Sequence, residues 1–126
     1  MAKVYSADEV VARLRKVIST GAPLFVPNCG SGLTAKLQEM GGSDMIVISG
    51  TSYWRLKGQG SLAALMPNSD INQIVFDLAP EIVANVKDTP ILSLSGAFNP
   101  LIPHKDHLRR LRDAGVSGIN PFMIKI

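Results

Sequence analysis

Four short apolar runs, each closed by small or turn-forming residues and separated by stretches with helical apolar spacing, constrain this chain more than any other feature. They cover residues 24–26, 44–49, 90–95 and 116–120. A continuous apolar run of this length, bounded by turn signals, fits a strand buried on both faces, as parallel sheets require. Between them, Leu33, Leu37 and Met40 recur at helical spacing, and so do Ile71, Ile74, Val75, Leu78, Ile82, Val83 and Val86. Leu108 and Leu111 mark a third such helix over residues 104–114, closed by Gly115. Strands alternating with helices of this kind specify an α/β architecture with a parallel sheet. One helix precedes the first strand. Ser6 and Glu9 stand at capping-box spacing, Val10, Val11, Leu14, Val17 and Ile18 form a stripe, and Gly21 follows as a C-cap. Its place in the order suits a helix that closes the amino-terminal end of the sheet.

At 126 residues the chain reads as a single domain, residues 1–126, large enough to bury a core. A hydrophobic content of 46% with 18% charged residues excludes a disordered chain. The net charge of +3 is too small to argue for nucleic acid. The basic run over residues 104–112 is the polar side of an amphipathic helix, without interleaved aromatic residues to stack bases. No apolar run is long enough to span a bilayer, the start lacks a charged-then-apolar leader, and one cysteine suits a reducing compartment. The expectation is a cytoplasmic protein with neither nucleic acid nor membrane as a partner.

Two stretches carry candidate chemistry. The first is Asn28, Cys29, Gly30, Ser31 and Gly32, read as the turn between the first strand and its helix. At the carboxyl end of a parallel strand, backbone N–H groups and the positive end of the next helix can hold an anion, and small residues allow close approach. The alternative is a tight turn whose glycines serve geometry alone. The spacing is not a dinucleotide fingerprint, because Ser49 stands where the acidic residue would follow the next strand. The second stretch, residues 50–69, has no clear element of its own, and a loop that long inside a compact domain is usually functional. It offers Arg55, Lys57, Gly58, Gly60 and Ser61. A guanidinium and an ammonium on a glycine-rich loop suit a phosphate or carboxylate, and loop closure would exclude water. The apolar residues 62–66 argue that the loop folds back onto the protein, with a helical turn at 62–65. The other reading is a solvated surface loop.

Other groups offer less. Cys29 needs a nearby base to act as a nucleophile, and nothing in the spacing brings His104 or His107 to it, so a buried inert thiol is the reading. Magnesium wants carboxylates at strand ends, whereas Asn28, Ser49, Ser95 and Asn120 are neutral. Asp44 and Asp88 precede strands, and Asp70 reads as a helix cap. No metal site and no cofactor follow from the residues.

Several separated segments fall in the order of one family: residues 29–36 (CGSGLTAK), 41–44 (GGSD), Arg55 with 58–62 (GQGSL), and 86–91 (VKDTPI). In these the chain resembles the phosphoenolpyruvate hydrolase-like TIM-barrel family, also called TIM-barrel signal-transduction proteins. Its members are named as phosphonopyruvate or phosphoenolpyruvate hydrolases. The resemblance implies half of a (β/α)8 barrel with an N-terminal capping helix, since the family barrel has roughly twice this length. It implies a small phosphorylated or carboxylated ligand and, if the chain is catalytic, hydrolysis or carbon–carbon or carbon–phosphorus cleavage of a pyruvate-like compound. Two segments depart from the pattern: Phe98-Asn99-Pro100 replaces Thr-Asp-Pro, and residues 121–124 (PFMI) replace Asn-Phe-Pro-Thr. A half-barrel leaves apolar surface and unpaired edges, so a homodimer or a partner chain that completes the barrel is expected. A second reading is therefore a non-catalytic sensory or assembly module.

Overall fold

The computed structural model describes residues 2–96 and 101–122. Helix α1 (Ala7–Ser19) is followed by β1 (Asn28–Cys29), α2 (Gly32–Met40), β2 (Ile46–Ile48) and α3 (Gly50–Leu56). A 3₁₀ helix (Ser61–Leu65) comes next, then α4 (Ile71–Asn85), β3 (Ile91–Gly96), α5 (His104–Asp113) and β4 (Gly118–Phe122). The four strands form one sheet in the order β1-β2-β3-β4, and every pairing is parallel. A sheet whose order follows the chain, with helices between the strands, has the topology of consecutive barrel units.

Side-chain alternation splits the core between the two faces of the sheet. On one face Cys29, Ile46, Ile48 and Ile91 meet Ala35 of α2, Val75, Leu78, Ala79 and Ile82 of α4, and Leu111 of α5. Ile46, Ile48, Ile82 and Ile91 are completely buried there, each contributing roughly 1.5–3 kcal/mol of apolar transfer. On the other face, which lines the interior in a closed barrel, Val47 and Leu94 pack with Ala64, Ile71, Val26, Leu92 and Trp54. Segment 50–69 is therefore not a loop. It folds into α3 and the 3₁₀ helix, which bring Trp54 and Ala64 onto the inner face. Trp54 donates from Nε1 to Ser69 Oγ at 3.1 Å.

The first strand departs from expectation. The apolar run at 24–26 is not a strand buried on both faces: Leu24 and Phe25 are exposed, and pairing centres on Asn28–Cys29. β1 is an edge, so the segment meets only one neighbour, with Asp44 N donating to Phe25 O, Val47 N to Pro27 O and Ser49 N to Cys29 O. At the other edge, Pro121 and Phe122 belong to β4 and not to an unpatterned tail. Proline lacks the N–H that a central strand must donate, so an edge is where a sheet accommodates it. Phe98-Asn99-Pro100 and residues 123–124 lie outside the described residues. Helix α4 runs through Pro80 to Asn85, capped by Asp70, whose Oδ1 accepts from Asn72 N and Gln73 N.

Helix α1 has the capping box read from the sequence: Ser6 N donates to Glu9 and Glu9 N donates to Ser6 Oγ. Its stripe is less covered than its pattern suggests, with only Val10 buried. The helix is held at the amino ends of the strands through the 86–89 turn. Tyr5 Oη and Arg13 both donate to Asp88 O, at 2.6 and 2.8 Å, and Tyr5 N donates to Ser117 Oγ. The same turn wraps its Lys87, Asp88 and Thr89 N–H groups around the Glu39 carboxylate, at 2.8–3.1 Å. This accounts for the VKDT segment: it is a backbone cradle for a carboxylate from α2.

Candidate functional site

The carboxyl end of β1 opens into a cleft of about 230 Å³ between α2 and α3. Asn28, Gly30, Thr34, Gln38, Ser52, Arg55 and Leu56 line it. Ser49 ends β2 and its hydroxyl caps α3 by accepting from Ser52 N. That cap starts the helix early enough for its last turn to carry Arg55 back over β1. Arg55 donates from Nε to Ser61 Oγ at 2.8 Å, which orients the guanidinium and leaves its terminal amino groups without a partner among the described residues. A cation, the hydroxyls of Thr34 and Ser52 and the Asn28 amide thus share one small cleft. The Thr34 hydroxyl already donates to Ser31 O at 2.9 Å, so Arg55, Ser52 and Asn28 are the donors that suit an oxyanion.

The candidate residues separate into distinct positions. Asn28, Gly30 and Arg55 come together in the cleft, with Ser61 behind Arg55. Cys29 points into the core, 1% exposed, and its thiol is pushed up to about 12 by burial and then by the nearby Glu81 carboxylate. A thiol held that far from ionisation is no nucleophile. Ser31 caps α2, its Oγ accepting from Thr34 N at 3.3 Å. Gly32 N donates to Glu81 Oε1 at 2.6 Å, so a carboxylate of the protein already occupies the positive end of α2. Of the backbone N–H groups at that turn, the Gly32 one is thus engaged within the protein.

The glycines have separate reasons. A Cβ on Gly30 would sit 2.5 Å from Tyr53 N and 2.6 Å from Ser52 C, so this residue is where α3 touches the turn. Gly58 has φ +76 and closes α3: its N–H donates to Arg55 O and that of Gln59 to Trp54 O, a Schellman motif. Gly60 opens the 3₁₀ helix with nothing near it. Lys57 ends α3 with its ammonium 4.7 Å from the Tyr53 ring centre, outside the cleft lining. Arg55 and Lys57 accordingly sit on a packed helix end, and the mobile-loop picture is replaced by a folded cap.

Thr34, Gln38, Ser52 and Leu56 escaped sequence reasoning. Gln38 donates from Nε2 to Asn28 O at 2.9 Å, while its buried Oε1 has no partner among the described residues. Thr34 and Gln38 are four residues apart, hence on one helix face, and that polar pair was the available signal. No carboxylate or imidazole lines the cleft. Among the described residues no group of three or more His, Cys, Asp or Glu side chains is gathered, and no helix is long and apolar enough to cross a membrane.

The family model for phosphoenolpyruvate hydrolase-like proteins matches residues 9–124. The chain belongs to the phosphoenolpyruvate hydrolase-like family. Among curated relatives, the tomato (Solanum lycopersicum) ToMV resistance protein Tm-1(GCR237) is 34% identical over 113 residues, which is 90% of this chain and 15% of the tomato protein. Among solved structures, phosphonopyruvate hydrolase in complex with oxalate and Mg++ has a TM-score of 0.65 at 19% identity, covering 87% of this chain and 37% of that one. Phosphoenolpyruvate phosphomutase from Streptomyces platensis subsp. rosaceus has a TM-score of 0.63 at 19% identity, covering 86% and 36%. The fold is thus that of part of a TIM-barrel-like protein, and the chain spans well under half the length of these relatives.

Proposed function

We propose that the chain binds a small phosphorylated or carboxylated metabolite of the pyruvate type, at the carboxyl end of β1 between α2 and α3. The observation that carries this reading is Arg55, pinned by Ser61 and turned onto a small cleft that also holds two hydroxyls and an amide. The guanidinium would pair with the ligand's oxygens bidentately, and Ser52 and Asn28 would fix its orientation. Family membership and the likeness to phosphonopyruvate hydrolase and phosphoenolpyruvate phosphomutase support a pyruvate-type ligand. Cleavage by hydrolysis, or at a carbon–carbon or carbon–phosphorus bond, is the reaction class those relatives suggest. The described strand ends do not fit magnesium: Asn28, Ser49, Ser95 and Asn120 supply only neutral donors, and the Ser49 hydroxyl is already bonded to Thr51 Oγ1 at 2.7 Å. No step is therefore routed through a metal.

Thermal shift against phosphoenolpyruvate, phosphonopyruvate and oxaloacetate, each with and without magnesium, tests the reading. Stabilisation by at least one of them, lost in Arg55→Ala, is expected; no response to any of them sinks it. A second reading rests on the β4 edge. Ile119 and Leu108 are 41% and 44% exposed beside it, lining a groove of about 540 Å³ with Tyr5, Ser6 and Val116. A second copy or a partner chain would cover this surface and complete the barrel. Light scattering then gives a mass above the monomer for a self-completing barrel, and a well-folded monomer that binds no other chain refutes the pairing.

A further inference from the structure

Helix α5 has two anchors. Of its ten residues, His107 and Leu111 are buried and the others are exposed. Leu111 enters the core that the strands share with α4. His107 is 7% exposed and meets Ser95 near the end of β3, with Nε2 and Oγ 2.5 Å apart. Its ring stands nearly perpendicular to that of Phe76 on α4, with centroids 5.6 Å apart. Asn72, in the first turn of α4, fixes the same strand end. Its Nδ2 donates to Gly96 O at 3.0 Å, and its Oδ1 accepts from Gly96 N at 2.8 Å. One anchor is therefore apolar, and the other is an imidazole, the side chain whose charge changes closest to neutral pH.

The imidazole anchor suits the neutral ring alone. Ser95 can satisfy Nε2 in either protonation state, because a hydroxyl both donates and accepts. Nδ1 is buried with no partner among the described residues, so protonation would leave a charged N–H there with neither water nor an acceptor. His107 also lies in the first turn of α5, where the helix dipole opposes positive charge. Burial first, then Arg110 and His104 on the same helix, hold His107 below the usual imidazole range, and Asp70 ahead of α4 opposes them. Asp77 of α4 is engaged by Gln73, and Asp106 of α5 by Arg109, both on exposed surface. β3, β4 and residues 97–103 contribute no titratable side chain.

We propose that His107 is a pH-sensitive latch: neutral, it holds α5 against β3 and α4, and protonated, it releases that helix before the rest of the fold opens. The released helix solvates the charged ring, so the open state binds the extra proton and opening must grow as pH falls. Growth begins near the ordinary imidazole value of about 6.5 and levels off below the lowered value of the closed state. Without His107, α5 keeps only Leu111 in the core, whereas α4 keeps Val75, Leu78, Ala79 and Ile82 there, which sets the order of release. Leu108 and Leu111 also line the groove beside β4, so the latch decides whether that surface exists.

Hydrogen–deuterium exchange of the full chain between about pH 7.5 and 5.5, corrected for intrinsic rates, tests this beside an imidazole NMR titration. The α5 amides should lose protection several-fold, approaching about tenfold, from pH 6.5 to 5.5. Amides of β2 and α4 should stay protected over the same range, and His107 should titrate below about 6.5. The chain has two histidines, so His104→Gln is the control and should keep the step, whereas His107→Leu should abolish it. The titration needs no variant and decides the matter even if His107→Leu fails to fold. Protection of α5 that ignores pH, a step lost in His104→Gln or kept in His107→Leu, a His107 titration at or above about 6.5, or α4 opening together with α5 overturns the latch.

Discussion

Replacing Gly30 with alanine tests why that glycine is there. The added Cβ would lie 2.5 Å from Tyr53 N, 2.6 Å from Ser52 C and 2.8 Å from Ser52 O. All three are backbone atoms of α3, so no side-chain rotation relieves the contact. Tyr53 N is itself committed to Ser49 O at 3.1 Å. Reaching ordinary contact requires the turn and α3 to separate by about 1 Å, against packing that transmits such shifts. Overpacking of this kind costs typically about 1–3 kcal/mol, and rigid backbone on both sides places it at the upper end. The smaller unfolded-state entropy of alanine offsets roughly 0.4–1 kcal/mol, leaving a net loss of about 2–2.6 kcal/mol. An unfolding entropy of about 2.1 cal/mol/K per residue gives roughly 0.26 kcal/mol/K for 126 residues, so Tm should fall by about 8–10 °C. Gly60→Ala is the control, since its φ of −71 and open surroundings tolerate a methyl group. Paired thermal melts decide it. If Gly30→Ala melts within about 2 °C of Gly60→Ala, the packing account is wrong and Gly30 is there for a ligand.

Glu39 should make the fold acid-sensitive. Burial raises its pKa, but N–H donation from Lys87, Asp88 and Thr89 outweighs this and holds it below the ordinary carboxylate value. A folded pKa below the unfolded one contributes stability that is full above about 4.3 and is lost as pH falls through the lowered value. Urea melts at pH 7 and pH 3 should show Glu39→Gln costing roughly 1.5–3 kcal/mol at the higher pH and much less at the lower one; an equal cost at both would refute the cradle. Glu81→Ala should expose the amino end of α2. It is expected to lower Tm in dilute buffer and to recover more than the parent does on adding sulfate, whereas identical responses to sulfate would count against Glu81 as the occupant of that helix end.

The order of elements was readable because burial on both faces leaves a mark that tolerates error at strand ends. Runs such as residues 90–95 are too apolar for anything else, and Ser6 with Glu9 signals its helix locally. The failures have local causes. The 24–26 run looks like a central strand, yet its neighbour on one side is absent, and an edge strand need not bury its apolar residues. Helix α3 shows no periodicity, because seven residues make barely two turns and its start, Ser49-Gly50, reads as the end of a strand. Arg55 and Asn28 were visible as chemistry without a place. What links them, Gln38 reaching Asn28 O and Ser61 holding Arg55, depends on α2 and α3 facing each other. Glu81 meets Gly32 across 49 residues of chain, a separation at which no spacing rule operates.

The 86–89 turn also has a dynamic consequence. Carbonyls at Lys87 and Asp88 hold the N-terminal segment and α1, while the three amide protons are held by α2. Opening this corner therefore releases the first and second helices in one event, instead of letting either fray alone. In hydrogen–deuterium exchange those amides should keep pace with the sheet interior even though they lie at the periphery of the molecule.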